Sequence, residues 1–149
     1  MKVSLRATYG IMAAVDLAMH LGTVPVQAKL IARRQAIPVR FLEQVLHGMK
    51  KAGLVSSLRG AQGGYVLSKK PSEVSIIEIL EALDGPLSPP TGGISRAEER
   101  RVSKQELLLG KVWEQVYRAE RGVLEAISVE ELAAQLRVLE QERTLMYHI

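Results

Sequence analysis

Between residues 38 and 67 the apolar positions change period, from three-and-four spacing to short apolar runs broken by glycine. The change predicts a helix followed by a β-hairpin. Phe41, Leu42, Val45, Leu46 and Met49 fall on one helical face and leave Arg40, Gln44, His47 and Lys51 off it. Pro38 suits the first turn of that helix, where its missing N–H has no intrahelical partner, and Gly53 stops it. Residues 27–36, with Leu30, Ile31 and Arg33-Arg34, predict a short supporting helix joined by a tight Ala36-Ile37 turn. Residues 54–58 and 65–67 read as strands around Arg59-Gly60-Ala61-Gln62-Gly63-Gly64, a tip able to take positive φ angles. Helix, turn, helix and hairpin in this order predict a winged helix-turn-helix. Its polar helix face can enter a DNA groove, and its nearly bare tip, with Arg59 as the one cation, can approach a narrow groove.

The flanking patterns extend this picture. Ser4 can cap a first helix running through Tyr9, Met12, Ala13 and Leu17 to about residue 21, where Gly22 and Pro25 end it. That helix is apolar on more than one face, so it is expected to lie between the reading unit and other helices, of this or a second subunit. Ser75-Ile76-Ile77-Glu78 is a capping box with Val74 and Ile79 as a hydrophobic staple, and Gly85 ends its helix. Ser128-Val129-Glu130-Glu131 repeats the device with Ile127 and Leu132. Residues 86–103, with three prolines and two glycines before a charge run, read as a loop giving way to helix. From residue 104 to 126 Leu108, Val112, Val116, Ala119 and Val123 form a stripe longer than one small domain covers. Trp113 and Tyr117 flank it, as core aromatics or as interface anchors. Self-association along the stripe is the economical expectation. A two-fold homodimer would set two recognition helices about one DNA turn apart, on a palindromic operator.

The predicted fold is therefore mainly α with a small β-hairpin wing. A winged helix-turn-helix DNA-binding domain spans residues 1–85, a loop 86–103, dimerisation helices 104–142 and a C-terminal tail 143–149.

Charge divides along the same line. Residues 1–70 hold eleven Lys or Arg against Asp16 and Glu43, or +9, and residues 71–149 hold nine against fourteen acidic residues, or −5; together they give the net +4. A basic half carrying the reading motif is suited to phosphate. With 149 residues, 47% of them hydrophobic, the chain can bury one sizeable core. No apolar run approaches the ~20 residues that span a bilayer, and the first residues do not open a signal peptide, so a cytoplasmic protein is expected. The absence of cysteine excludes disulfides, thiolate metal sites and cysteine nucleophiles. An enzyme is not expected. The glycines at 60, 63 and 64 lack the Gly-Lys-Ser/Thr ending of a phosphate-binding loop and precede a strand rather than a helix, and no Ser, His and Asp set suggests a triad. A module of the same fold that has lost DNA binding is the alternative.

Several pieces together resemble the Rrf-two family of bacterial winged-helix regulators. These are Arg6 and Tyr9, Phe41-Leu42-Glu43-Gln44, Ala52-Gly53-Leu54-Val55, Arg59-Gly60 with Gly63-Gly64-Tyr65, and residues 79–85, ILEALDG. They are spread over the first 85 residues, and Trp113 with Ser128-Val129-Glu130-Glu131-Leu132 extends the likeness. The resemblance implies phosphate contacts by Ser4, Arg6 and Tyr9, base-edge or phosphate contacts by Pro38, Arg40, Phe41 and Gln44, and minor-groove insertion of Arg59 with Gly60, Gln62 and Gly63 at the tip. Phe41 lacks the hydroxyl of the family's usual tyrosine, and Gln62 stands where glycine is frequent. Many members hold an iron-sulfur cluster on three cysteines after the Gly85 equivalent. Here there are none, and His20, His47 and His148 are dispersed, so no cofactor or metal is expected.

Within the family the chain resembles the cysteine-free, CymR-type branch, repressors of sulfur and cysteine metabolism. The resemblance rests on Arg59-Gly60-Ala61, Gly63-Gly64-Tyr65-Val66-Leu67, Gly85-Pro86-Leu87-Ser88-Pro89 and the isoleucine end. It implies cysteine synthase as a protein partner, engaged by the tail through Tyr147, His148 and Ile149. An end packed on the dimer is the other reading of that tail.

Overall fold

The structure is a computed structural model and describes residues 1–20, 24–89 and 101–148. Helix α1 (Leu5–Met19) starts where the Ser4 hydroxyl accepts the Ala7 N–H at 3.0 Å. It ends at Met19, before the expected Gly22, which lies outside the described residues. Its buried positions, among them Ala7, Gly10, Ala13, Ala14, Leu17 and Ala18, occur on several faces. Small residues let other helices come close. A Cβ on Gly10 would stand 2.3 Å from Leu83 Cδ1 and 3.2 Å from Ile79 Cγ2.

The supporting helix α2 (Ala28–Gln35) turns into α3 (Val39–Lys51) through Ala36, which adopts φ 53°. Pro38 is the N-cap of α3 rather than its first helical residue: its ψ of 129° is extended while its carbonyl already accepts the Leu42 N–H at 2.9 Å. Leu42, Val45, Leu46 and Met49 of α3 are fully buried. Gly53 (φ 77°) closes the helix, with its N–H on Lys50 O at 3.0 Å and that of Leu54 on Met49 O at 2.9 Å. This paired closure needs a left-handed residue, which glycine adopts without a Cβ penalty.

Strands β1 (Val55–Leu58) and β2 (Gly64–Leu67) pair antiparallel, Val55 with Leu67 and Leu58 with Gly64. Val26 adds a bridge to the outer side of β2, giving its N–H to Tyr65 O at 3.0 Å and taking the Tyr65 N–H at 2.7 Å. The wing is thereby tied to the chain that enters α2. After a 3-10 turn (Pro71–Glu73), α4 (Ile76–Asp84) begins at the expected Ser75–Glu78 capping box and ends at Gly85.

The long helix α5 (Lys104–Ala126) opens on a third capping box, Ser103 with Glu106. The Ser-x-x-Glu spacing was present in the sequence, behind the charge run. Helix α6 (Val129–Tyr147) starts at the Ser128–Glu131 box. Its first turn returns to the reading unit: the Val129 N–H bonds to Val74 O at 2.8 Å and the Ile76 N–H to Ile127 O at 3.0 Å, so two capped helix starts sit side by side. Val129 and Ala133 join Ala13, Leu17, Ile31, Leu46 and Val74 in one core. Helix α1 is thus packed between α3, α4 and α6 of its own chain.

Residues 143–147 are part of the last helix and not a separate tail. Helix α6 runs to Tyr147, His148 caps it, and Ile149 lies outside the described residues. Residues 143–147 contain neither glycine nor proline, and Thr144 Oγ1 bonds back to Glu140 O at 2.9 Å while Arg143 lies over the Tyr147 ring at 5.9 Å. Nothing there interrupts the helix.

Candidate nucleic-acid interface

With its inner face buried, α3 presents Arg40, Gln44 and His47 to solvent. Arg6, from the first turn of α1, lies beside them. Arg6, Arg40, Glu43, Gln44 and His47 line one shallow concavity. Arg6 reaches this place because α3 has no side chain at Gly48, where a Cβ would lie 3.1 Å from Arg6 Nη2. Two cations, an amide and an imidazole beside one carboxylate can meet both phosphate oxygens and base edges.

Tyr9 and Phe41 are half-buried and pack edge to face, with centroids 5.4 Å apart and planes at 83°. The pair joins α1 to α3, and the missing hydroxyl at Phe41 leaves ring packing as what that residue supplies. Pro38 is exposed at the start of α3. Ser4 is placed differently from what a simple phosphate contact needs: its hydroxyl and its N–H both donate to the Asp84 carboxylate, the latter at 3.2 Å. A phosphate could take those donors only by displacing Asp84.

At the wing, Arg59, Gly60 and Gln62 are exposed and Gly63 is buried. A Cβ on Gly63 would come within 2.2 Å of Leu58 O, so the tip closes this tightly only around a bare residue. Arg59, Gly60 and Gly63 line a second concavity with Gln27 and Ala28 at the start of α2. The reading surface therefore has two parts, one formed by α1 and α3 and one at the wing.

Behind this surface lies a polar network the sequence reading missed. Asp16 is 1% exposed and accepts Arg34 Nε at 3.0 Å, Arg34 Nη2 at 2.6 Å and Gln35 Nε2 at 2.9 Å. The hydrogen bond from Arg34 to Asp16 raises the guanidinium pKa further, against the opposing effect of burial. The network clamps α2 to α1. Its signal was a lone carboxylate between Val15 and Leu17 in an otherwise apolar run.

The expected dimer residues lie along α5, none of whose residues is buried. Leu108 is 61% exposed, Val112 48%, Trp113 39%, Val116 42% and Val123 60%, and Ala119 is exposed as well. Tyr117 is half-buried and donates its hydroxyl to Leu87 O at 3.1 Å. Trp113, Val116 and Tyr117 also wall a cleft of about 610 Å³ with Met1–Val3, Leu80 and the chain from Asp84 to Ser88. At the far end of the chain Tyr147 is 77% exposed and His148 is exposed.

The donors present do not fit an iron-sulfur cluster. The chain has no thiolate to offer, and among the described residues no three His, Cys, Asp or Glu side chains converge on a metal position. Beside the cleft, Asp84 is committed to Ser4 and Glu120 to the Met1 ammonium at 3.3 Å. His20 bonds Asp16 O through Nδ1 at 2.7 Å. Among the described residues no helix is long and apolar enough to cross a membrane.

A helix-turn-helix with a β-hairpin wing and an outward polar face on its second helix defines a winged-helix DNA-binding regulator. The chain belongs to the Rrf2 family, whose model, described as an iron-dependent transcriptional regulator, matches residues 3–135. The transcriptional regulator CymR of Bacillus subtilis is 34% identical over 134 residues, covering 90% of this chain and 91% of that protein. The solved structure of CymR, the global cysteine regulator of B. subtilis, superposes with a TM-score of 0.74 over 91% of this chain and 98% of that one. T. potens IscR superposes with a TM-score of 0.70 at 36% identity, covering 91% of this chain and 88% of its own. The protein is thus a transcriptional regulator of the CymR and IscR type.

Proposed function

We propose that the protein is a cluster-free homodimeric repressor that reads a palindromic operator in the cytoplasm. The observation that carries this reading is α3: four apolar residues are wholly buried while Arg40, Gln44 and His47 stay exposed with Arg6 beside them. In that reading Arg6 and Tyr9 meet phosphate, Pro38, Arg40, Phe41 and Gln44 approach base edges or phosphate, and Arg59 enters the minor groove from the wing. Ser4 contributes chiefly as the cap of α1. The exposed stripe of α5 supplies the two-fold contact, because burying it against a second copy removes apolar surface from water.

Control of sulfur and cysteine metabolism, with cysteine synthase as partner, is the finer part of the proposal. It is supported by the likeness to CymR and by the exposed Tyr147 and His148 at the end of α6. A carboxylate-terminated peptide can be held by backbone and hydroxyl donors in a pocket of the enzyme, and substrate would compete for that pocket.

An electrophoretic shift on the promoter of its own gene, against a random duplex at several salt concentrations, tests DNA reading. Sequence-selective, salt-sensitive binding is expected; equal weak binding to both duplexes would instead mark a module that no longer reads DNA. Calorimetry with cysteine synthase, repeated after deletion of His148-Ile149 and after adding O-acetylserine, tests the partner. Binding lost in both altered cases supports it, and identical heats in all three remove it.

A further inference from the structure

We infer that Asp84 is a positioning residue for DNA binding, which fixes the first turn of α1 so that Arg6 meets the phosphate backbone. This inference rests on the proposed DNA-reading function. Asp84 is the last residue of α4, and its carboxylate takes both donors of the Ser4 cap, the hydroxyl and the N–H. The same Ser4 hydroxyl accepts the Ala7 N–H, so one carboxylate reaches through the cap into the helix that carries Arg6. Arg6 in turn sits over the bare surface of α3 at Gly48, beside Arg40 and Gln44. A small shift of the first turn would lift Arg6 from that surface, because a helix start fixed only by its own N-cap frays.

Asp84 is also where the reading unit meets the α5 arm. One turn before it, Glu81 accepts Arg121 Nη1 of α5 at 2.6 Å, and three residues after it Leu87 O accepts the Tyr117 hydroxyl at 3.1 Å. Pairing with Glu81 raises the Arg121 pKa further. The end of α4 is held on one side by α5 and holds α1 on the other. Movement of α5 relative to α4 is thereby conveyed through the Ser4 cap and the first turn of α1 to a phosphate contact.

The test is a double-mutant cycle on operator binding across a salt series, with Asp84→Ala, Arg6→Ala and the pair. Asp84→Ala is expected to weaken operator and random duplex alike, on the order of tenfold, and to reduce the salt slope by about one phosphate contact, as Arg6→Ala does. The two effects should not add, whereas Asp84→Ala combined with the wing variant Arg59→Ala should add fully. Asp84→Asn keeps the size and an acceptor and should recover part of the affinity. A purely structural loss would show instead as a lowered melting midpoint and additivity with Arg6→Ala. Unchanged or tighter binding by both Asp84 variants overturns the inference while leaving DNA reading intact. Absence of selective binding by the wild-type protein overturns the reading on which it rests.

Discussion

Helices α3 and α5 carry apolar stripes at the same spacing, yet four residues of the α3 stripe are wholly buried and none in α5 is. The reading unit closes its own core: α1, α3, α4 and the first turns of α6 cover one another, and polar groups inside it, such as Asp16, are fully bonded. Helix α5 touches α4 through Arg121 and Glu81 and leaves its stripe to solvent. This is the surface that the proposed dimer would cover. The difference separates a unit that closes its own core from a helix whose apolar face is left for the proposed two-fold contact.

The largest effect should come from breaking the α5 side. Replacing Val116 and Val123 by Glu together places two like charges in each half of the proposed contact, and sedimentation should show monomers that bind the palindrome at least a hundredfold more weakly, on the order of 3 kcal/mol. A dimer persisting in the double variant would take this stripe out of the interface.

On the reading-unit side, Asp16→Ala removes the acceptor of three hydrogen bonds. Arg34 is 35% exposed and can recover water, so a loss of about 2–3 kcal/mol in urea denaturation is expected rather than the upper range for buried pairs. The dimer should survive at temperatures where the variant is folded. A variant as stable as wild type would mean that packing alone holds α2 to α1.

Arg59→Ala tests the wing without touching either core. Operator affinity should fall by about 1–3 kcal/mol, with relaxed preference at the bases the wing meets and little change in melting temperature. Wild-type affinity for both operator and random duplex at every salt concentration would remove the wing from the interface.

The smallest effect distinguishes the reading unit from α5 by the caps of α4 and α5. For Glu78 burial pushes the pKa up, but hydrogen bonds from Lys69 and Ser75 outweigh it, and for Glu106 the Ser103 N–H is the main cause; both are held below the ordinary 4.5. A carboxylate with a lower pKa folded than unfolded stabilises above the ordinary value, and that contribution is lost as pH falls through the folded value. Stability should therefore decline below about pH 4.5, and Glu78→Gln should flatten the decline in unfolding curves more than Glu106→Gln, which sits on an exposed helix start. Equal slopes in all three proteins would assign the acid sensitivity to other carboxylates.

The sequence alone determined the elements whose signals are local. Periodicity gave α3, glycine with strand runs gave the hairpin, and Ser-x-x-Glu spacing gave the starts of α4 and α6, because caps, turns and one-sided faces are decided by residues a few positions apart. Only the tertiary structure decided what depends on distant partners. It showed that α6 continues to Tyr147 and that its start returns to Val74, since burial chooses among helices that local propensity leaves equal. It committed the donors of Ser4 to a carboxylate eighty positions away, and it gave Asp16 its partners on α2. A hydrogen-bond partner is set by proximity in space, and a single carboxylate in a run of apolar residues carries no record of which cation the fold will bring to it.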